Sequence, residues 1–234
     1  MIPEVAHHIT QRNNRQPVFC AADDFHRYLA LLRRHSQANG TRILAYCLMP
    51  NHVHLIAVPR RADSLALTLG RAHSEYALVW NRVRGATGHL WQNRFFSCPL
   101  DEAHAVRAIR YVELNPVRAR LAPAPWEWPW SSARAHTMDN GADPVLDSRW
   151  AEYFGGWNFA EWKEILSAAM TPEDLASFRR AAATGEPLGS REFISSLERQ
   201  TGKRLRVLDR GRPPAKPPSP QNRARQTSLF MASE

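Results

Sequence analysis

"YCLMPNHVHLIAVP", residues Tyr46 to Pro59, reads as two β-strands joined by a tight turn. The turn signal is Met49-Pro50-Asn51, because proline fixes φ and asparagine favours turn conformations. Side chains alternate along a strand, so His52 and His54 project from one face, two residues' rise apart. Two neutral imidazoles in that position can bind one divalent metal ion. The alternative is a pair of structural histidines in a covered strand or at its edge.

Outward from this hairpin, the sequence pattern predicts the order β-α-β-β-α-β-α. The predicted elements are a strand at about Val5–Arg12, a helix at about Ala22–Ala38, strands at Arg42–Leu48 and His52–Val58, a helix at about Ser64–Val83, extended structure over Gly88–Leu100, and a helix from Asp101 to about Asn115. This order indicates an α+β fold, a ferredoxin-like or RRM-like sandwich in which an antiparallel sheet carries helices on one face. The last helix is an addition to it.

The rest of the chain divides into two further parts. We predict a domain at 1–138, a helical C-terminal extension at 139–202 and a basic, proline-rich tail at 203–234 that is disordered. The net charge of the chain is +9. Residues 202–234 hold eight Lys and Arg against two acidic residues, so most of the excess lies there. The charge suggests a polyanionic partner, and a merely solubilising tail is the alternative.

Composition excludes several classes of protein. No run of apolar residues is long enough to span a membrane, and the N-terminus lacks the pattern of a signal peptide. The three cysteines, Cys20, Cys47 and Cys98, have no CxxC spacing, which argues against a disulfide framework or a zinc-thiolate site. We therefore expect a cytoplasmic protein without a membrane partner.

The third helix carries two polar residues beside an apolar stripe. Tyr111 and Asn115 are four residues apart, so they lie one turn above the other. We expect both at the boundary between core and solvent, where a hydroxyl could reach a phosphate and an amide oxygen could reach a metal. The alternatives are a packing tyrosine and a helix stop before Pro116.

Three motifs together resemble a known family. "YCLMPNHVHL", "RYVELNPVRARL" and "WPWSSARAH" are similar to the HUH single-tyrosine transposases (insertion-sequence 200/605-like transposases), and within them to the REP-associated tyrosine transposases. The resemblance covers about residues 5–136. It implies that His52 and His54 hold Mg²⁺ or Mn²⁺ with Asn115 as the third ligand, although His8 or His104 could take part. It also implies that Tyr111 is the nucleophile.

The same resemblance implies a substrate and an activity. The substrate is single-stranded DNA folded into a REP-like hairpin, which the enzyme nicks and joins through a 5′-phosphotyrosine intermediate. The residues that could contact this DNA are arginines for phosphates and aromatic rings for unpaired bases, namely Arg12, Arg15, Arg94, Arg107, Arg110, Arg118, Trp91 and Phe95. Core packing is the alternative for the aromatic residues.

Two other functions are compatible with these residues. One is a domesticated regulator that binds hairpin DNA or RNA without cutting it. The other is a metal-dependent phosphodiesterase that uses water as the nucleophile and does not need Tyr111. The sequence does not decide between a monomer and a homodimer.

Overall fold

The computed structural model describes residues 1–13, 16–138, 142–148, 150, 153 and 156–205. Arg15 and nearly all of the predicted tail lie outside the described residues, so the predictions made for them remain predictions. Among the helices that the described residues form, none is both long enough and apolar enough to cross a membrane.

One antiparallel sheet organises the chain. Its strands are β1 (Ala6–Arg12), β2 (Thr41–Met49), β3 (His52–Pro59) and β4 (Phe96–Leu100), in the order β2-β3-β1-β4. The predicted hairpin is confirmed, because β2 pairs with β3 from Thr41↔Pro59 to Met49↔His52. The predicted extended segment at Gly88–Leu100 forms its strand at the C-terminal end only, in β4.

Two helices cover one face of the sheet, as predicted. They are α1 (Ala22–Asn39) and α2 (Ser64–Arg84). Gly40 ends α1 in the left-handed conformation, with φ of 66°, where a side chain would be strained. The core between these helices and the sheet is built from large apolar and aromatic side chains, among them Ile9, Tyr28, Leu32, Leu55, Leu69 and Tyr76. Burial of such side chains contributes about 1.5–3 kcal/mol each.

The third helix lies on the other face of the sheet from α1 and α2. α3 (Glu102–Glu113) packs on the opposite face, with Ala108, Ile109 and Val112 in one core cluster with Ile56 and Val58 of β3. The sheet needs cover on both faces because β2 and β3 are buried along almost their whole length. α3 ends at Glu113, earlier than predicted, and α4 (Asn115–Arg118) follows with Pro116 in its first turn, where proline is tolerated.

The C-terminal extension packs against α3 and β4. Helix α5 (Ala133–Thr137) comes just before it, and the helices of the extension are α6 (Phe159–Ser167), α7 (Pro172–Thr184) and α8 (Arg191–Thr201). Trp162 of α6 and Phe178 of α7 are buried in the same core as α3. The backbone N–H of Leu188 donates to Pro99 O (2.9 Å), so the segment after α7 covers the outer edge of β4. The extension therefore borders the face of the sheet that α3 covers.

Acid stability of the fold depends on buried histidines, of which His73 is the clearest case. Burial lowers the pKa of His73 to about 3, and the ring shares a hydrogen bond of 2.9 Å with the Tyr28 hydroxyl. An unfolded histidine takes up its proton near pH 6.5, whereas folded His73 stays neutral to about pH 3, so acidification through this window favours the unfolded chain. One such group changes the free energy of unfolding by about 1.4 kcal/mol per pH unit.

We expect His73→Gln, which keeps an acceptor for Tyr28 but cannot titrate, to unfold with the uptake of about one proton fewer between about pH 4 and pH 6. The free energy of unfolding should therefore depend less steeply on pH in this variant. Urea unfolding at several pH values measures the slope, with His89→Gln at an exposed histidine as the control. An unchanged slope in His73→Gln would show that the folded ring is protonated as readily as the unfolded one.

Candidate active site

The two histidines of β3 lie on the face that α3 covers, next to residues of β1. In the register of the sheet, Thr10 is opposite His54 and His8 is opposite Ile56, so all these side chains share one face. His8 Nε2 is 3.0 Å from His54 Nδ1, and Thr10 Oγ1 is 3.3 Å from the same atom. The pair predicted from the sequence is therefore part of a buried polar cluster that includes β1.

The histidine rings of this cluster are neutral near pH 7. Burial lowers the pKa values of His8 and His52 to about 4 and holds the pKa of His54 well below its usual range. Positive charges act in the same direction, from Arg118 on His8 and from Arg12 on His52. A neutral imidazole keeps a lone pair on one ring nitrogen, which is the form that binds a metal.

The hydrogen bonds of these rings suit a metal ion bound through Nε2. His52 Nδ1 donates to Asn51 Oδ1 (2.6 Å), which leaves the lone pair of this ring on Nε2. His54 Nδ1 is held by His8 and Thr10, so its Nε2 is likewise the atom left for a ligand. Within the described part of the chain, no three His, Cys, Asp or Glu side chains are grouped to hold a metal. A third protein ligand would have to be of another type, such as an amide oxygen.

Tyr111 of α3 lies directly over the histidine cluster. Its ring centroid is 5.7 Å from that of His8 and 6.0 Å from that of His54, both in edge-on contact. Phe178 stacks on the other side at 5.1 Å, and the tyrosine is 6 % exposed. The structure thus buries a residue that we expected at the boundary with solvent, because α7 covers it.

Asn115 and Arg118 complete the surroundings of Tyr111. The Arg118 guanidinium lies 4.3 Å from the centre of the tyrosine ring and donates to Tyr111 O (2.8 Å) and Asn115 Oδ1 (2.7 Å). The Asn115 oxygen, the predicted third ligand, therefore already accepts one hydrogen bond from a cation and has one lone pair left. The two imidazoles fit a divalent metal well, and Asn115 fits it only while sharing its oxygen with Arg118.

The predicted DNA-contacting residues fall into two groups. Arg12 and Arg94 are exposed, and Arg12 is near enough to His52 to act on its pKa. Arg107 pairs with Asp174 at 3.7 Å, and Arg110 donates to Ala168 O at 2.6 Å, so both hold the extension.

The two predicted stacking residues lie on the far side of the sheet. Trp91 and Phe95 are half-buried against the α1–α2 core, and Trp91 Nε1 donates to His73 O at 3.1 Å. Their contacts with DNA, like those of the arginines, stay predictions.

The structure also gives the positions of the two histidines that were alternative metal ligands, His8 and His104. His8 is in the cluster, whereas the Nδ1 of His104 lies 2.7 Å from Asp101 Oδ1 at the start of α3, about two turns from Tyr111. Phe178 was missed altogether, because nothing in its local sequence indicates a partner 67 residues earlier. The apolar spacing of its helix predicts that it is buried but not against which residue.

The comparisons with known proteins match one family model and nine chains of solved structures, two of which serve as examples. Residues 4–115 match the family model described as "Transposase IS200 like". None of the curated proteins matches the chain. A REP-associated tyrosine transposase bound to a REP hairpin is 15% identical, with a TM-score of 0.48, covering 68% of this chain and 92% of that one. A putative transposase from Deinococcus radiodurans is 20% identical, with a TM-score of 0.35, covering 48% and 92%.

Proposed function

We propose that the chain, whose residues 4–115 match the IS200-like transposase family, nicks and rejoins single-stranded DNA through Tyr111. The catalytic unit in this proposal is 1–138, with 139–202 as an extension that packs on it. The substrate is a REP-like DNA hairpin, as the sequence motifs imply. The chain works as a transposase of the REP-associated type.

One observation carries the proposal: a tyrosine lies over two neutral histidines on a covered face of the sheet, with an arginine against its ring. A phenol is a weak nucleophile near pH 7, because it is mostly protonated there. The Arg118 guanidinium lies 4.3 Å from the centre of the tyrosine ring, where its positive charge attracts a DNA phosphate toward Tyr111. Arg118 keeps this position because its other donors bind Tyr111 O and Asn115 Oδ1.

The reaction itself is a balanced exchange of two bonds at phosphorus. The Tyr111 oxygen forms a bond to the phosphorus while the bond from phosphorus to the 3′-oxygen breaks, and the phenol loses its proton as the 3′-oxygen gains one. Attack by a 3′-hydroxyl on the phosphotyrosine reverses these steps and joins DNA. The link conserves the phosphodiester energy, so no nucleotide cofactor is required.

A divalent metal, Mg²⁺ or Mn²⁺, belongs to the proposal. His52 and His54 would hold it through Nε2, with the Asn115 oxygen as the third protein ligand. When bound, such an ion polarises the phosphate and offsets the charge that develops on its oxygens. His8 and Thr10 orient His54 for this role by holding its Nδ1.

A regulator that binds hairpins without cutting them is the second candidate. The observation in its favour is the cover over Tyr111, which is 6 % exposed beneath Phe178 and Arg118. A DNA strand reaches the hydroxyl only if these side chains shift. The two candidates differ in whether a covalent complex forms.

The test is transfer of a DNA label to the protein. We expect single-stranded hairpin oligonucleotides labelled at the 3′ end to give an SDS-resistant protein band with Mn²⁺ or Mg²⁺ and none with EDTA. A label at the 5′ end should instead appear on a shorter oligonucleotide. His54→Ala should lose both products together with most of its affinity for Mn²⁺, measured by calorimetry without DNA. Tight binding of hairpins without either product would favour the regulator.

A further inference from the structure

Helix α7 of the extension presents one face to the proposed active site. The helix is capped at its start by Thr171, whose side chain accepts from Asp174 N, and at its end by Gly185. Phe178 stacks on Tyr111, and Leu175 lines a cavity of about 530 Å³ together with Arg118. Arg179 follows Phe178 and is four residues after Leu175, so its side chain emerges beside these two. Arg179 is exposed, so it lies at the solvent end of this contact.

Among the residues that the structure describes, no carboxylate balances the positive charge at this place. Arg118 donates to two oxygens, Tyr111 O and Asn115 Oδ1, neither of which carries a charge. Leu175, one turn before Arg179 on α7, lines the same cavity as Arg118. Phe178 stacks on Tyr111, so the part of α7 that carries Arg179 lies on the same side of the site as Arg118. In the described part of the chain, neither Arg118 nor Arg179 has an ion pair with a carboxylate.

The neighbouring arginines behave differently. Arg180 pairs with Glu186 at 3.6 Å and Arg107 pairs with Asp174 at 3.7 Å. Two guanidinium groups that pair with no described carboxylate, beside a nucleophile, form a site for an anion. A phosphodiester is an anion that guanidinium groups bind with two parallel hydrogen bonds, and it is the anion present in DNA.

We propose that Arg179 binds a phosphate of the DNA strand at Tyr111, so that the extension supplies part of the substrate site. The inference rests on the proposed function, since it names a DNA contact of the same site. It assigns a binding role to α7, which lies outside the segment 4–115 that matches the family. Arg179 is a binding residue here, and the bond-making group remains Tyr111.

The experiment compares Arg179→Ala with Arg180→Ala, which removes the same charge one position further along the helix. Loss of a charge-assisted hydrogen bond to phosphate should weaken binding of a hairpin oligonucleotide by Arg179→Ala about ten- to a hundred-fold. Arg180→Ala should change it less than about two-fold. Arg179→Lys should recover part of the loss, because the charge remains while the two-pronged geometry does not.

A set of oligonucleotides carrying one methylphosphonate each separates direct contact from a structural effect. A methylphosphonate has no charge, so at the phosphate that Arg179 contacts, the full-length wild-type chain and Arg179→Ala should bind equally. The inference would be overturned if Arg179→Ala bound more weakly than the wild type by the same factor wherever the methylphosphonate stands. It would also be overturned if Arg179→Ala and Arg180→Ala bound hairpins equally well. Absence of any covalent product from the wild type would instead contradict the proposed function, and the binding data would still decide the role of Arg179.

Discussion

Tyr111→Phe should form no covalent complex with DNA and should cut hairpin oligonucleotides more than about a thousand-fold more slowly than the wild type, because the only group removed is the nucleophilic oxygen. The phenylalanine ring keeps the space that the tyrosine ring fills between Phe178 and the guanidinium of Arg118. The fold and hairpin binding should therefore be retained. Single-turnover cleavage with Mn²⁺, beside binding measured by fluorescence anisotropy, separates the two effects.

Tyr46→Phe is the matched control. Tyr46 is buried on the other face of the sheet, and its hydroxyl donates to Asp143 Oδ2 (2.6 Å). Its loss should cost about 1 kcal/mol of stability and leave cleavage unchanged. If Tyr111→Phe cuts as fast as the wild type, the nucleophile is water, and the chain is a metal-dependent phosphodiesterase.

Glu113→Ala should destabilise the protein by about 3–5 kcal/mol, because Glu113 is a fully buried carboxylate that joins three parts of the structure. Ser132 Oγ donates to Glu113 Oε1 (2.5 Å), Trp162 Nε1 donates to Oε2 (2.9 Å), and His136 Nδ1 lies 2.6 Å from Oε1. Removing the carboxylate deprives all three of this partner at once. Urea unfolding measures the change.

Glu113 also fixes the position of the tyrosine helix, since it is two residues from Tyr111 on α3. Glu113→Gln, which keeps one acceptor oxygen, should lose less stability than Glu113→Ala. Glu102→Ala, at an exposed position of the same helix, should cost less than about 1 kcal/mol. A cost for Glu113→Ala as small as that of Glu102→Ala would show that the cluster contributes little to holding α3.

Local sequence patterns predicted the sheet and its hairpin because these depend on residues close together in the chain. The turn Met49-Pro50-Asn51 and the alternation after it were enough to place His52 and His54 on one face. The helix of Tyr111 followed from the spacing of its apolar residues. In each case the periodicity of one element determined the result.

Contacts between distant elements could not be predicted in this way. The approach of His8 to His54 depends on the register of β1 against β3. Which face α3 covers depends on how both sides of the sheet are filled. The cover of Tyr111 by Phe178, and the use of Arg110 to hold the extension, join segments more than fifty residues apart. The periodicity of one segment does not indicate which other segment it will contact.

Identification of the residue that carries the DNA tests the central claim most directly. Trypsin should release Tyr111–Arg118 as one peptide, because Arg110 and Arg118 flank it, and Tyr111 is its only tyrosine. After reaction with a hairpin oligonucleotide and Mn²⁺, followed by nuclease and trypsin digestion, mass spectrometry should find this peptide with a nucleotide attached through its 5′-phosphate. Cleaved DNA with this peptide unmodified, or with the nucleotide on another residue, would contradict the account.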